Sequence, residues 1–223
     1  MPRLVWSYDD EWVVLAFERV EGREPAQPWR ADELERVLET AARLERRLTP
    51  SPVATKPLGE VLLEGINSWH LVRGDPPAGV DDWSLRHLDE LVALEAEVVD
   101  AVVGDTLVHF DIRADNILVT DDGRVYFVDW PHAHVGAAWV DAVAFAPSVA
   151  MQGGPDPEHV LARWPGASDA DPAPVNAALA SVAGFFTHRS LLPAAPGLPT
   201  LRPFQAAHGE VARRWLRERT GWD

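Results

Sequence analysis

Residues 106–130 read Thr-Leu-Val-His-Phe-Asp-Ile-Arg-Ala-Asp-Asn-Ile-Leu-Val-Thr-Asp-Asp-Gly-Arg-Val-Tyr-Phe-Val-Asp-Trp. Thr106-Leu107-Val108 reads as one short strand, Ile117-Leu118-Val119 and Val125-Tyr126-Phe127-Val128 as two more. Asp121-Asp122-Gly123 joins the last two, and Asp-Gly between apolar runs signals a hairpin. A hairpin returns the chain to its starting point, so Asn116, just before it, and Asp129, just after it, are expected side by side. Two hard oxygen donors at one point suit Mg2+, which takes few protein ligands and keeps room for phosphate oxygens. Asp111, on the loop before Asn116, stands where a carboxylate can accept a hydroxyl proton near that ion. A base, a metal-binding asparagine and a metal-binding aspartate form the layout of a phosphoryl-transfer site.

The flanks of this stretch are mostly helical. Ser84 reads as the N-cap of a helix over 85–103 with Leu88, Leu91, Val92, Leu94, Val98, Val99 and Val102 inward, ended by Gly104. Beyond Trp139, helices are expected at 139–150, 156–164, 173–189 and 203–219, with the proline-rich segment 193–203 as an ordered surface crossing. Residues 49–83 are rich in Pro, Gly and Trp and read as irregular, with one short helix near 66–72. Over 32–48, Leu34, Val37, Leu38, Ala41, Leu44 and Leu48 recur at helical spacing, and Asp32, Glu33, Glu35 and Glu39 read as a solvated face. Residues 4–8 and 12–19 read as a strand pair turning at Asp9-Asp10-Glu11. The second strand, from Trp12 to Phe17, is apolar on both faces and is expected to be covered on both sides.

Composition narrows the partners. A chain of 223 residues can bury a full core without staples, and with no cysteine it has no disulfide framework. The net charge of −15 repels phosphate backbones, so a nucleic-acid partner is not expected. The same acidic surface serves solubility and attracts small cations. No apolar run is long enough to span a membrane, and the N-terminus has no apolar signal core, so the expected location is the cytoplasm.

His109-x-Asp111 followed by Asn116, a hairpin, and an apolar-Asp129-Trp130 step resembles the catalytic core of the aminoglycoside phosphotransferase and choline-kinase-like family. Two further segments extend the resemblance to about residues 4–219. Gly136-Ala137-Ala138-Trp139-Val140-Asp141 is similar to the family's Gly-x-Pro-x-x-Asp segment, with Ala138 in the proline's place. Phe17-Glu18-Arg19-Val20-Glu21-Gly22 resembles the hinge between two lobes. The resemblance implies an α+β fold with a protein-kinase-like large lobe, mainly helical with a catalytic-loop hairpin. A two-stranded remnant of the small lobe precedes it, with residues 1–22 as remnant and hinge and 23–223 as the large lobe. It implies an ATP-dependent phosphotransferase acting on a hydroxyl of a small molecule, aminoglycoside-like or other, with ATP and Mg2+ as cofactors. In that scheme Asp111 is the base and Arg113 a charge clamp near the transferred phosphate. Asn116 and Asp129 hold Mg2+, and Phe17, Glu18, Arg19 and Val20 meet the adenine. His109 buttresses the loop and Asp141 accepts its backbone hydrogen bonds.

The chain also departs from the family pattern. Phe110 stands where glycine is usual, which narrows the acceptor side of the loop. The family's phosphate-covering loop and ATP-contacting lysine do not precede the hinge, because only 16 residues lie before Phe17 and the sole lysine, Lys56, follows it. Most of the small lobe is therefore expected to be missing, and the chain by itself to bind ATP poorly. A non-catalytic kinase-like module is one alternative. A metal-dependent hydrolase built on His109, Asp111, Asp129, His132 and His134 is another. The strand pair lacks sheet partners, so its open edge is expected to favour self-association through residues 4–19.

Overall fold

A computed structural model describes residues 1–223. In chain order the elements are β1 (Leu4–Asp9), β2 (Val13–Phe17), α1 (Ala31–Arg47), α2 (Leu58–Val61), α3 (Trp69–Gly74), α4 (Asp82–Arg86), α5 (Leu88–Ala96) and α6 (Val98–Ala101). Then follow β3 (Thr106–Val108), β4 (Ile117–Val119), β5 (Val125–Phe127), β6 (His134–Gly136), α7 (Val140–Met151), α8 (Pro157–Ala162), α9 (Pro172–Ser190) and α10 (Leu201–Thr220). The strands make three separate antiparallel pairs: β1 with β2, β3 with β6, and β4 with β5. No helix is long and apolar enough to cross a membrane.

The large helical part forms one continuous core. In α1, Leu34, Val37, Leu38 and Ala41 are buried, as their spacing requires. Glu33 departs from its expected solvated face: it is 2% exposed. Its carboxylate pairs with Arg23 and accepts the Ala26 N–H at 2.8 Å, which compensates for its burial. α9 is buried along most of its length by small residues, including Ala177, Ala178, Ala180, Ala183 and Gly184. A Cβ at Gly184 would lie 2.8 Å from the Trp69 ring, so this helix and α3 approach too closely for any side chain there. The Trp69 indole N–H donates to the Ala180 carbonyl across the same contact, at 2.8 Å.

Three further expectations are corrected. The long helix over 85–103 is broken into α4, α5 and α6, and its cap is Asp81, whose carboxylate accepts the Ser84 N–H at 2.9 Å. The break after α4 falls at His87, whose ring packs on Trp222 at 5.5 Å and whose Nε2 lies 2.8 Å from the Asp223 carbonyl. The segment 49–83 holds more structure than one helix: α2 runs into a π-helical turn at Leu62–Ile66, and α3 follows. The ribbon of β1 and β2 is not covered on both sides. Every residue of β1 is exposed, and in β2 only Ala16 is partly shielded. β1 and β2 pair with each other alone, so their apolar side chains, Val13 at 67% exposure among them, have no layer to pack against.

Candidate active site

The site grows from β3. Its pairing with β6, Thr106 opposite Gly136 and Val108 opposite His134, carries the chain to His109 at the edge of the core. His109 is 1% exposed and both ring nitrogens are used. Nδ1 accepts the Asp111 N–H at 3.3 Å, which leaves the ring proton on Nε2, facing the Val128 carbonyl at 2.9 Å. His109 thus ties the loop to the hairpin and has no lone pair left for a metal.

Asp141, in the first turn of α7, holds the same loop from the other side. Its two carboxylate oxygens accept the N–H groups of His109 at 2.9 Å and Phe110 at 2.7 Å. Between these anchors Phe110 takes a left-handed backbone conformation, φ 61°. A side chain rarely adopts that conformation, which accounts for glycine being easier there.

Asp111 is half-buried at the turn. The Asn116 amide donates to its carbonyl at 2.8 Å and to its carboxylate Oδ2 at 3.1 Å. Arg113 Nη1 lies 3.0 Å from the other oxygen, and the same guanidinium also grips Asp115. Burial pushes the Asp111 carboxyl above its ordinary range, with Arg113 as the main opposing charge. A 3-10 turn over Ala114–Asn116 then feeds β4.

The β4–β5 hairpin has the register Ile117–Phe127, Leu118–Tyr126, Val119–Val125, and Gly123 supplies the turn at φ 81°. Beyond the last pair, the Val128 N–H donates to the Asn116 carbonyl at 3.0 Å. Asp129 therefore leaves the hairpin at the same end as Asn116. Its backbone is also left-handed, φ 64°, and its side chain faces solvent. The Asn116 amide nitrogen is engaged by Asp111, so its Oδ1 is the atom free for another partner. An amide oxygen and a solvent-facing carboxylate are hard donors that fit Mg2+ and leave most of its coordination to water or phosphate.

The hinge-like segment is bound to this hairpin. Arg23 and Val119 exchange backbone hydrogen bonds of 3.0 and 2.7 Å. Upstream, the Glu18 N–H is taken by the Arg3 carbonyl at 2.9 Å. Phe17 and Arg19 are exposed, whereas Glu18 and Val20 are partly shielded. Lys56 pairs with Glu64, ahead of α3. His132 and His134 do not share a strand: His132 lies exposed in a turn and His134 opens β6, its Nδ1 3.2 Å from the Lys56 carbonyl. No group of three or more His, Asp and Glu side chains is placed to hold a metal ion. His109, Asp111, Asp129, His132 and His134, on which a hydrolase would rest, are therefore not gathered into one ligand cluster.

Asp111 opens onto a cavity of about 270 Å3 between the loop, α9 and α10. Phe110, Phe185, Phe186, Phe204 and His208 form its aromatic wall. Of these, only Phe110 stands out in the sequence as a site residue. Phe204 and His208 do stand four residues apart on α10, a spacing that places both on one face. The partner wall, Phe185-Phe186 on α9, belongs to a helix with no evident polar face.

The profile of a family described as the phosphotransferase enzyme family matches residues 1–178. No curated protein matches the sequence. Among solved structures, an aminoglycoside phosphotransferase from Alicyclobacillus acidocaldarius superposes with a TM-score of 0.61 at 16% identity, over 94% of this chain and 71% of that one. Choline kinase LicA from Streptococcus pneumoniae gives 0.56 at 14% identity, over 95% of this chain and 74% of that one. A choline/ethanolamine kinase family protein from Mesorhizobium loti gives 0.54 at 17%, over 96% and 78%. LicA has also been solved in complex with AMP. At these identities the likeness establishes a shared kinase-like fold.

Proposed function

This chain belongs to the phosphotransferase enzyme family, and from that premise we propose that it transfers the terminal phosphoryl group of ATP to a hydroxyl of a small molecule. One observation carries the reading. Asp111, hydrogen-bonded to Asn116, stands at the mouth of an apolar cavity, and Asp129 leaves the adjoining hairpin at the same end. Asp111 is the base: its partly desolvated carboxylate accepts the proton of the attacking hydroxyl. Asn116 Oδ1 and the Asp129 carboxylate would hold Mg2+, which supplies charge neutralisation to the phosphates. Arg113, bound to Asp111, adds a fixed positive charge beside the transfer path. Phe17, Glu18, Arg19 and Val20 meet the adenine. With the Glu18 N–H already taken, the Glu18 carbonyl and the backbone groups of Arg19 and Val20 are left for it. His109 and Asp141 are positioning residues, acting through the loop. In this reading residues 1–22 are small-lobe remnant and hinge, 23–223 the large lobe.

A second reading, a non-catalytic kinase-like module, is favoured by a specific observation. Neither β1 nor β2 carries a lysine, and the only one, Lys56, is paired with Glu64. Nucleotide grip is therefore expected to be weak in this chain by itself. Calorimetric titration with Mg2+-ATP tests both readings. Binding in the millimolar range is expected, weakened at least tenfold by Asp129→Ala and unchanged by Asp111→Ala, while Asp111→Ala removes any phosphoryl transfer. Binding indifferent to Asp129→Ala overturns the metal assignment. Asp129-dependent binding without transfer in the unaltered chain selects the module. The exposed ribbon, finally, is the surface through which a second copy of this chain pairs.

A further inference from the structure

Helix α10 reaches the Asp111 loop through Phe204. The guanidinium carbon of Arg113 lies over the Phe204 ring, 5.7 Å from its centroid, a distance at which the ring attracts a cation. Phe204 stands in the first turn of α10, beyond the residues 1–178 that the family profile matches. Its ring is itself held. It meets the Phe186 ring of α9 at 6.3 Å and the His208 ring at 5.9 Å, both nearly perpendicular to it. In the same turn, Arg202 donates to the Pro193 carbonyl at 3.0 Å and to Gln205 Oε1 at 2.8 Å, which pins the start of the helix to the segment before it.

Arg113 stands between two carboxylates. Nε and Nη2 donate to the two oxygens of Asp115 at 3.1 and 3.0 Å, a bidentate grip. Asp111 receives Nη1 alone, at 3.0 Å. The Asp115 side chain is 57% exposed and the Asp111 side chain 23%. The partner with more bonds to Arg113 is thus the one nearer solvent, where a long side chain gains rotamer freedom. The two carboxylates by themselves therefore do not keep the guanidinium at Asp111. An outward excursion with Asp115 takes the cation off the Phe204 ring and forfeits that attraction, so the ring opposes it.

Resting on the phosphotransferase reading, in which Asp111 is the base and Arg113 the charge beside it, we propose that Phe204 is a positioning residue whose ring keeps the Arg113 guanidinium at Asp111. The test reads Arg113 by nuclear magnetic resonance in the 15N-labelled full chain without nucleotide, so it does not depend on transfer. Rotation about the Nε–Cζ bond exchanges Nη1 and Nη2. A guanidinium held by a different carboxylate through each nitrogen gives two resonances, and a freely turning one gives a single averaged signal. The Arg113 signals are those lost in Arg113→Lys. Two Nη resonances are expected in the parent. Phe204→Leu and Phe204→Met, which remove the ring but keep an apolar side chain, should each speed their exchange by about fivefold. Phe204→Tyr, which keeps the ring, should hold the parent rate. Unmoved tryptophan indole N–H resonances identify the folded variants, so either ring-less variant can serve. A single averaged signal in the parent overturns the proposal, as does an unchanged exchange rate in the ring-less variants or an equal acceleration in Phe204→Tyr. If the resonances behave as expected but calorimetry shows no binding of Mg2+-ATP to the parent, the hold on Arg113 stands and the phosphotransferase reading falls.

Discussion

The β1–β2 ribbon and the β4–β5 hairpin are made of the same kinds of residue in the same antiparallel pairing, and their environments are opposite. In β2, Leu15 is 52% exposed; in β4, Ile117 is fully buried and its cross-strand partner Phe127 is 1% exposed. The difference lies in what each pair is attached to. The hairpin is bonded at one end to the Asp111 loop through Asn116 and Val128, on its outer strand to Arg23, and beneath to His109 through the Val128 carbonyl. The ribbon is bonded only to itself and to the Arg3–Glu18 contact at its base. An apolar strand sequence specifies an extended backbone, and its neighbours must come from elsewhere. A lone two-stranded ribbon is at best marginally stable in water.

The sharpest way to break this contrast is a matched pair of truncations followed by urea denaturation. Ile117→Ala should cost about 2–5 kcal/mol, the range for a buried large-to-small change. Leu15→Ala, measured at a concentration low enough for the chain to be monomeric, should stay within about 0.5 kcal/mol, as for an exposed site. Equal costs would mean that the ribbon is covered in solution. The cover expected here is a second copy of the chain, so sedimentation velocity of the parent should depend on concentration. Leu15→Lys, which places a charge on the ribbon face, should abolish that dependence without moving the unfolding midpoint.

A slightly smaller effect comes from a carboxylate that only the buried part can hold. Glu95, 2% exposed, accepts the Ser68 N–H at 2.7 Å and the Trp69 N–H at 3.0 Å, at the start of α3. Burial outweighs these bonds and raises its pKa to about 7, from 4.5 for an unperturbed glutamate. Between those values the folded chain holds a proton that the unfolded chain has released. Stability therefore falls as pH rises from 4.5 to about 7. The full change is about 3 kcal/mol, since each tenfold difference in proton affinity is worth roughly 1.4 kcal/mol. Glu95→Gln should flatten this slope, read as the difference in melting temperature between variant and parent across that window. A slope that survives in the variant assigns the proton to another group.

The helices that could be read in advance are those whose periodicity is self-contained. The buried face of α1 and the spans of α7, α8, α9 and α10 follow from local spacing alone, and the observed bounds fall within a few residues of the expected ones. The hairpin was legible for a related reason: Asp121-Asp122-Gly123 closes a short loop, so the chain runs back along β4 and returns Val128 to Asn116. What escaped was set at long range. The break at His87 is made by Trp222 and Asp223, at the other end of the chain. β6 is three residues long and exists only because β3 lies beside it. The aromatic wall with His208 is assembled from a loop and two helices far apart in sequence, and no local pattern announces a cavity.

The smallest predicted effect concerns backbone rather than burial, and it sets the anchored loop against ordinary strand. Phe110 is held at φ 61° by two Asp141 hydrogen bonds at neighbouring N–H groups. Among non-glycine residues only Asp129, at the other side of the same site, shares a positive φ, and the ribbon has none. Such strain persists where surrounding bonds over-determine the backbone. Phe110→Ala and Phe110→Gly remove the same ring, so their loss of packing is alike, but only glycine relieves the left-handed strain. The glycine variant should therefore be the more stable of the two by about 1 kcal/mol. At Leu118, in the extended strand β4, the order should reverse, with glycine worse than alanine by about 0.5–1 kcal/mol. Denaturation midpoints of the four variants decide the matter. If alanine is the more stable at both positions, Asp141 is not holding Phe110 against an opposing preference, and the loop adopts its shape in solution without the strain assigned to it.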